Sequence, residues 1–184
     1  MSEFVISTRY ANALLQTAEE NNSFEEALKS IELVYNTLAS SDELKSILNS
    51  YLISTSKKEN ILEAIFFGKV SSEVKNFLKL IAIRGRANLL FEICERFIQL
   101  SDEKLNRIKV QISSAVELSE NQKEDIVKKL EKITNKKIVA SYKVDKSIIG
   151  GFTARYKDTV IDASVKHQLE LLKKKLFEEK YLSN

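Results

Sequence analysis

The apolar period of this chain changes once, near Arg107, and that change limits what the chain can fold into. Up to about residue 105, apolar residues recur at steps of three and four, the spacing of one face of an α-helix. Beyond it they alternate. Ile108, Val110, Ile112, Ser114 and Val116 share one side and Lys109, Gln111 and Ser113 the other, which is the two-residue period of a strand. The expectation is a helical domain over residues 1–105 and a mixed α+β domain over residues 106–184. The absence of proline and the presence of only four glycines favour long, uninterrupted helices.

The first half reads as a six-helix bundle. Tyr10, Leu14 and Ala18 form one stripe, flanked by Ala11 and Leu15. Phe24, Leu28, Ile31, Tyr35 and Leu38 form the next. Ser41 or Asp42 can cap a short helix carrying Leu44, Ile47, Leu48 and Tyr51. Ser56 and Glu59 have the spacing of a capping box ahead of Ile61, Leu62, Ile65 and Phe66, with Gly68 closing that helix. Val74, Phe77, Leu78 and Ile81 lead to Gly85, and Leu90, Ile93, Cys94, Phe97, Ile98 and Leu105 make the last stripe. Both glycines fall where a left-handed residue is wanted. Ala11 and Ala13 beside Tyr10 would let another helix approach closely.

In the second half, Ser119 and Gln122 form another capping box, opening a helix with Ile126, Val127, Leu130 and Ile133. Ile138, Ala140, Tyr142 and Val144 then alternate ahead of the adjacent pair Gly150 and Gly151, and Phe152, Ala154 and Tyr156 alternate after it. Paired glycines permit a tight turn, and Lys157-Asp158 can turn the chain again, so this stretch reads as a small β-meander. Asp162 or Ser164 can cap a final helix carrying Val165, Leu169, Leu172 and Leu176.

The chain is poor in chemistry. His167 is the single histidine and reads as a surface polar residue; Cys94 lies in an apolar stripe and reads as a buried hydrophobe. No spacing for a metal site, a catalytic triad or a phosphate-binding loop is present, so no cofactor is expected. Asp145, Asp158 and Asp162 read as turn and cap residues. Met1 to Tyr10 lacks a basic start and apolar run, so no signal peptide is expected, and no apolar stretch reaches bilayer-spanning length. The formal charge of +3 divides into −3 before residue 106 and +6 after it, so the halves are suited to different surfaces. A basic nucleic-acid-binding module is the alternative reading. Lys173, Lys174 and Lys175 look like a solvated face, with no aromatic residues interleaved for stacking.

The run from Lys143 through Gly150, Gly151 and Phe152, followed by Val160-Ile161-Asp162-Ala163-Ser164-Val165, resembles the C-terminal signature of the delta subunit of F-type ATP synthases. The mitochondrial counterpart is the oligomycin-sensitivity-conferring protein. Arg9-Tyr10-Ala11 with Ala13 and Leu14, and Leu80-Ile81-Ala82 running into Gly85-Arg86, are similar to the same family, and the resemblance spans the chain in order. It implies a non-catalytic stator protein of the peripheral stalk, on the cytoplasmic face of the bacterial inner membrane, meeting the membrane only through the complex. It further implies that the helical domain holds N-terminal helices of the alpha subunits at Tyr10, Ala13, Leu14, Leu78, Ile81 and Ala82. The second domain would engage the end of the b-subunit stalk, with Gly150, Gly151 and Asp162 shaping its fold. The lysine-rich end runs past the signature to Asn184.

Overall fold

The structure, a computed structural model, describes residues 3–156 and 159–182, with side chains followed to residue 174. It contains helices and a small sheet, and it divides into two compact units, Met1–Leu105 and Asn106–Asn184. The Lys157-Asp158 turn, Asp158 itself, the side chains of Lys175 and Leu176, and the terminal Asn184 lie outside what is described.

The first unit consists of α1 (Glu3–Glu20), α2 (Phe24–Ser40), α3 (Asp42–Asn49), α4 (Thr55–Phe66), α5 (Ser72–Ile83), a 3-10 turn (Ala87–Leu89) and α6 (Leu90–Lys104). Leu90, Ile93, Cys94 and Phe97 of α6 are fully buried, and α6 packs on both α1 and α2. The buried face of α1 is Ser7, Ala11, Leu14 and Ala18, mostly small residues that let its axis lie close to α6. Serine hydroxyls settle three helix starts by accepting from the amide three residues on: Ser41 from Leu44 at 3.2 Å, Ser54 from Lys57 at 3.4 Å and Ser71 from Val74 at 3.4 Å. Gly85, at φ +65°, ends α5 in a Schellman motif, with Arg86 N–H donating to the Ile81 carbonyl and Gly85 N–H to that of Ala82, both at 2.9 Å.

Several local expectations are corrected. The helix expected to start at Ser56 starts at Thr55, because Ser54 takes the extended cap conformation and leaves Ser56 in the first turn. Gly68 follows α4, but it is not left-handed; Val70 and Lys69 N–H instead fold back onto the Phe66 carbonyl. Tyr51 lies beyond α3 and is almost wholly exposed, and Leu105, Val116 and Ile133 also face solvent. Each sits at or past the end of an element, where a periodic count runs on after the backbone has left the pattern.

The second unit contains β1 (Arg107–Ser114), α7 (Glu120–Thr134), β2 (Lys137–Val144), β3 (Gly151–Tyr156), β4 (Thr159–Ser164) and α8 (Val165–Leu182). The sheet order is β2-β1-β3-β4. β1 and β2 are parallel, from Arg107 opposite Lys137 to Ser114 opposite Val144, with α7 as the crossover. β3 runs antiparallel to both β1 and β4. The meander expected across the glycine pair is therefore wrong. β2 does not pair with β3, because β1 lies between them and only β3 and β4 form a hairpin.

One face of this sheet is packed. Ile108, Val110, Ile112 and Ala154 are buried against Ile126 and Leu130 of α7, with Ile138, Ala140, Phe152, Tyr156 and Ile161 around them. The core is small, so the cap that opens α7 matters. Ser119 and Gln122 form a reciprocal capping box, in which Gln122 Oε1 accepts from Ser119 N–H at 3.0 Å and Ser119 Oγ accepts from Gln122 N–H at 3.4 Å. Replacing Ser119 by alanine is expected to lower the stability of this unit by about 1 kcal/mol, measured by urea denaturation of the full chain. An unchanged second transition would show that the box contributes nothing.

Candidate partner-binding surfaces

Helices α1 and α5 of the first unit meet edge to face. The rings of Tyr10 and Phe77 lie 6.4 Å apart at 70°. Asn21, just past α1, donates to Glu73 Oε1 at 2.9 Å, and Ser23 bonds the other carboxylate oxygen of Glu73. These contacts fix which sides face one another. On α5, Glu73, Phe77 and Leu80 follow helical spacing on the side toward α1; on α1, Ile6, Tyr10, Ala13 and Thr17 do the same toward α5.

The residues expected to bind a partner separate accordingly. Leu14, Leu78, Ile81 and Ala82 are core residues, turned beneath the two helices with essentially no exposed area. Their side chains lie beneath the surface that these two helices present. Tyr10 is half-buried and Ala13 is exposed, so both border the groove. On α5 two large apolar residues stay outside the core: Leu80, 42% exposed, and Ile83, 64% exposed. The signal was there: the stripe Val74, Phe77, Leu78, Ile81 leaves both off the core side, and two large apolar residues off the core of one short helix need an explanation.

In the second unit, Gly150, Gly151 and Asp162 converge on the start of α8. The Gly150 carbonyl accepts from Val165 N–H at 2.9 Å. Gly151, at φ +79°, pairs with Ser164, and Asp162 Oδ1 accepts from Ser164 N–H at 2.8 Å. Ser164 in turn caps the helix, accepting from His167 N–H at 3.2 Å. Beyond this junction α8 carries Val165, Leu169 and Leu172 on one stripe, all exposed, with Leu171 beside it. Exposed apolar residues at helical spacing give this part of α8 an apolar stripe on its surface.

The carboxyl of Asp162 is held below its ordinary value of 3.8 by hydrogen bonding from the Ser164 side chain and backbone. That of Asp145 is lowered likewise by Ser147, whose hydroxyl and amide donate to Oδ1 at 2.7 and 2.9 Å. A lowered carboxylate stabilises the fold above its unfolded pKa, and that contribution is lost as pH falls through the folded value. The melting temperature of this unit is therefore expected to drop as pH falls below about 3.8, and Asp162→Asn should flatten that dependence. Parallel curves for the variant and the parent would refute this.

The described residues hold no group of three or more metal-ligating side chains and no helix long and apolar enough to cross a membrane. Cys94 is fully buried, and burial pushes its thiol pKa up, away from reactivity. His167 is half-buried beside the cap.

The sequence matches the family described as ATP synthase delta (OSCP) subunit over residues 6–176. It is similar to the ATP synthase subunit delta of Chlorobium limicola, at 42% identity over 95% of this chain and 96% of the relative. It is also similar to that of Chlorobaculum tepidum, at 40% identity over 96% of this chain and 97% of the relative. A chain in the cryo-EM structure of the Toxoplasma gondii mitochondrial ATP synthase hexamer shares the fold. Its TM-score is 0.66 at 23% identity, over 93% of this chain and 97% of that one.

Proposed function

The chain belongs to the ATP synthase delta (OSCP) subunit family, and from that premise we propose that it is a peripheral-stalk subunit of an F-type ATP synthase, acting as a stator. The observation that carries this reading is similarity to subunits of that name along nearly the whole chain, both units included. The subunit works with its complex at the membrane. It links the catalytic head to membrane-anchored b subunits, so that proton-driven rotation is coupled to ATP synthesis.

We read the first unit as a six-helix bundle that holds an N-terminal helix of an alpha subunit in the α1–α5 groove. Tyr10 and Ala13 border the groove, Leu80 and Ile83 supply apolar contact, and Leu14, Leu78, Ile81 and Ala82 lie packed beneath it and hold its two helices in place. A helix laid in such a groove gains affinity from a few buried anchors, without catalytic groups. The stripe Val165, Leu169 and Leu172 of α8 offers the seam for the b-subunit end of the stalk. The role is mechanical, carried out on the cytoplasmic face of the bacterial inner membrane, with no cofactor and no covalent step.

Titration calorimetry of the full chain with a peptide of the alpha-subunit N-terminus tests the first contact. Saturable binding at one peptide per chain is expected. Absence of heat, together with failure to compete in the intact complex, would overturn it.

A further inference from the structure

The carboxyl end of β1 opens into a cavity of about 420 Å³ within the second unit. Topology explains its place. The chain leaves β1 through α7 to reach β2 on one side, whereas β3 lies on the other, so segments diverge around the end of β1. In open sheets with parallel strands, the crevice beyond such a strand end is where ligands settle. Leu118, Ile126 and Phe152, which border the small core of this unit, line the cavity. Val116 from the loop before α7 and Ile149 from the loop before β3 also line it, and both are exposed, so they stand at its mouth.

The walls are held in place by hydrogen bonds. The Ser114 hydroxyl donates to the Val116 carbonyl at 2.7 Å, and the Ser119–Gln122 box fixes the start of α7. On the other side, Asp145 N–H donates to the Ser114 carbonyl at 2.8 Å, and Ile148 N–H to the Asp145 carbonyl at 3.2 Å. Val165 N–H donates to the Gly150 carbonyl at 2.9 Å. A cavity with walls so tied has little to order when a ligand enters.

We propose that this cavity is a binding site for a small, uncharged, apolar organic molecule of one or two rings. Its volume lies in the range of roughly 300–1,000 Å³ that ligand pockets occupy. Benzene fills an apolar cavity of roughly 150 Å³, so two fused rings fit here. The chemistry of the walls sets the ligand class. Leu118, Ile126, Ile149 and Phe152 offer apolar surface that a ring can cover. The polar side chains along α7 are Gln122, Asp125 and Lys129, and Gln122 Oε1 already accepts from Ser119 N–H. Asp125 and Lys129 stand one turn apart with opposite charges, so together they favour neither an anion nor a cation. An extended polypeptide fits less well, because its backbone N–H and C=O groups would face apolar side chains without hydrogen-bond partners. This inference goes beyond the stator role and stands or falls without it.

Indole is the probe, titrated into the isotope-labelled full chain and followed by amide and methyl shifts. Saturable shifts centred on Val116, Leu118, Ile126 and Phe152 are expected, with a dissociation constant on the order of 1 mM, as suits so small a ligand. Indole should also raise the melting transition of the second unit and leave that of the first where it is. Val116→Ala with Ile149→Ala, both at exposed positions, should weaken binding about fivefold while the dispersed spectrum persists. Leu169→Ala with Leu172→Ala, on the exposed stripe of α8, should leave binding within about twofold. Indole-3-acetate and tryptamine, the anionic and cationic counterparts, should bind no tighter than indole. Shifts that do not saturate, shifts centred on α8 or on the first unit, or undiminished binding by the Val116→Ala, Ile149→Ala variant would overturn the site. Tighter binding of either charged counterpart would overturn the ligand class.

Discussion

Replacing Gly151 by valine is expected to unfold the second unit and leave the first intact. Gly151 sits at φ +79°, where a side chain costs about 1–2 kcal/mol before any contact is considered. A Cβ there would also collide with the Ala163 carbonyl oxygen and lie 3.0 Å from the Ser164 Cα. Both obstacles are backbone of the paired strand, so relief means opening the β3–β4 hairpin and the cap of α8. Among the described residues the unit's core holds six buried apolar side chains, so a loss above about 3 kcal/mol is a large share of what holds it. Gly150 gives the contrast. Its Cβ would meet the Val165 Cγ2 at 3.1 Å, a side chain able to turn, and its φ is not positive. Gly150→Ala should therefore cost about 1 kcal/mol and Gly151→Ala clearly more. Amide spectra of the full-length variants will decide: sharp dispersed peaks from the first unit should persist while those of the second collapse. Loss from both units together would mean that they are not independent.

Leu80→Asp is expected to weaken binding of the alpha-subunit N-terminal peptide by about two orders of magnitude, without unfolding the helical unit. Leu80 lies on the α1-facing side of α5 yet contributes nothing to the buried core, so a carboxylate there meets water in the free protein. In the complex that carboxylate would be covered by an apolar helix, and an unpaired charge so placed costs about 2–3 kcal/mol. Ala13→Arg should act the same way by bulk, from the α1 side. Leu78→Asp differs. Leu78 is fully buried, and the expected result is loss of the fold itself. Calorimetry beside a thermal melt separates the two outcomes. Normal affinity in both Leu80→Asp and Ala13→Arg would remove the groove from the binding site.

Much of this molecule could be read from local pattern. The change of period at Arg107, the stripe of α6, the Ser119 box and the Schellman glycine at Gly85 each depend on residues within a few positions of one another. Sheet order does not. Alternation tells which side of a strand is apolar, but not that β2 returns parallel to β1 through α7, which displaced the expected meander. The start of α4 shows a smaller version of the same limit: Ser54 and Ser56 can both cap by residue type, and it is Ser54 that takes the extended cap conformation and accepts from Lys57 N–H. The candidate groove was half legible. The sequence pointed to a pair of helices, α1 and α5, and named residues by motif, and motif residues on a packed helix are mostly those that hold it in place. Leu80 and Ile83 emerge only once the buried side of α5 is fixed by Phe77, Leu78 and Ile81.

The central claim is that this chain couples without catalysing. Its most direct test is ATP synthesis by membrane vesicles energised with a proton gradient, stripped of this subunit and then resupplied with the purified protein. The account predicts that stripped vesicles hydrolyse ATP without coupling it to proton movement. Added protein should restore synthesis at one copy per complex, while hydrolysing no ATP by itself. Full synthesis in its absence, or turnover by the isolated chain, would contradict the account.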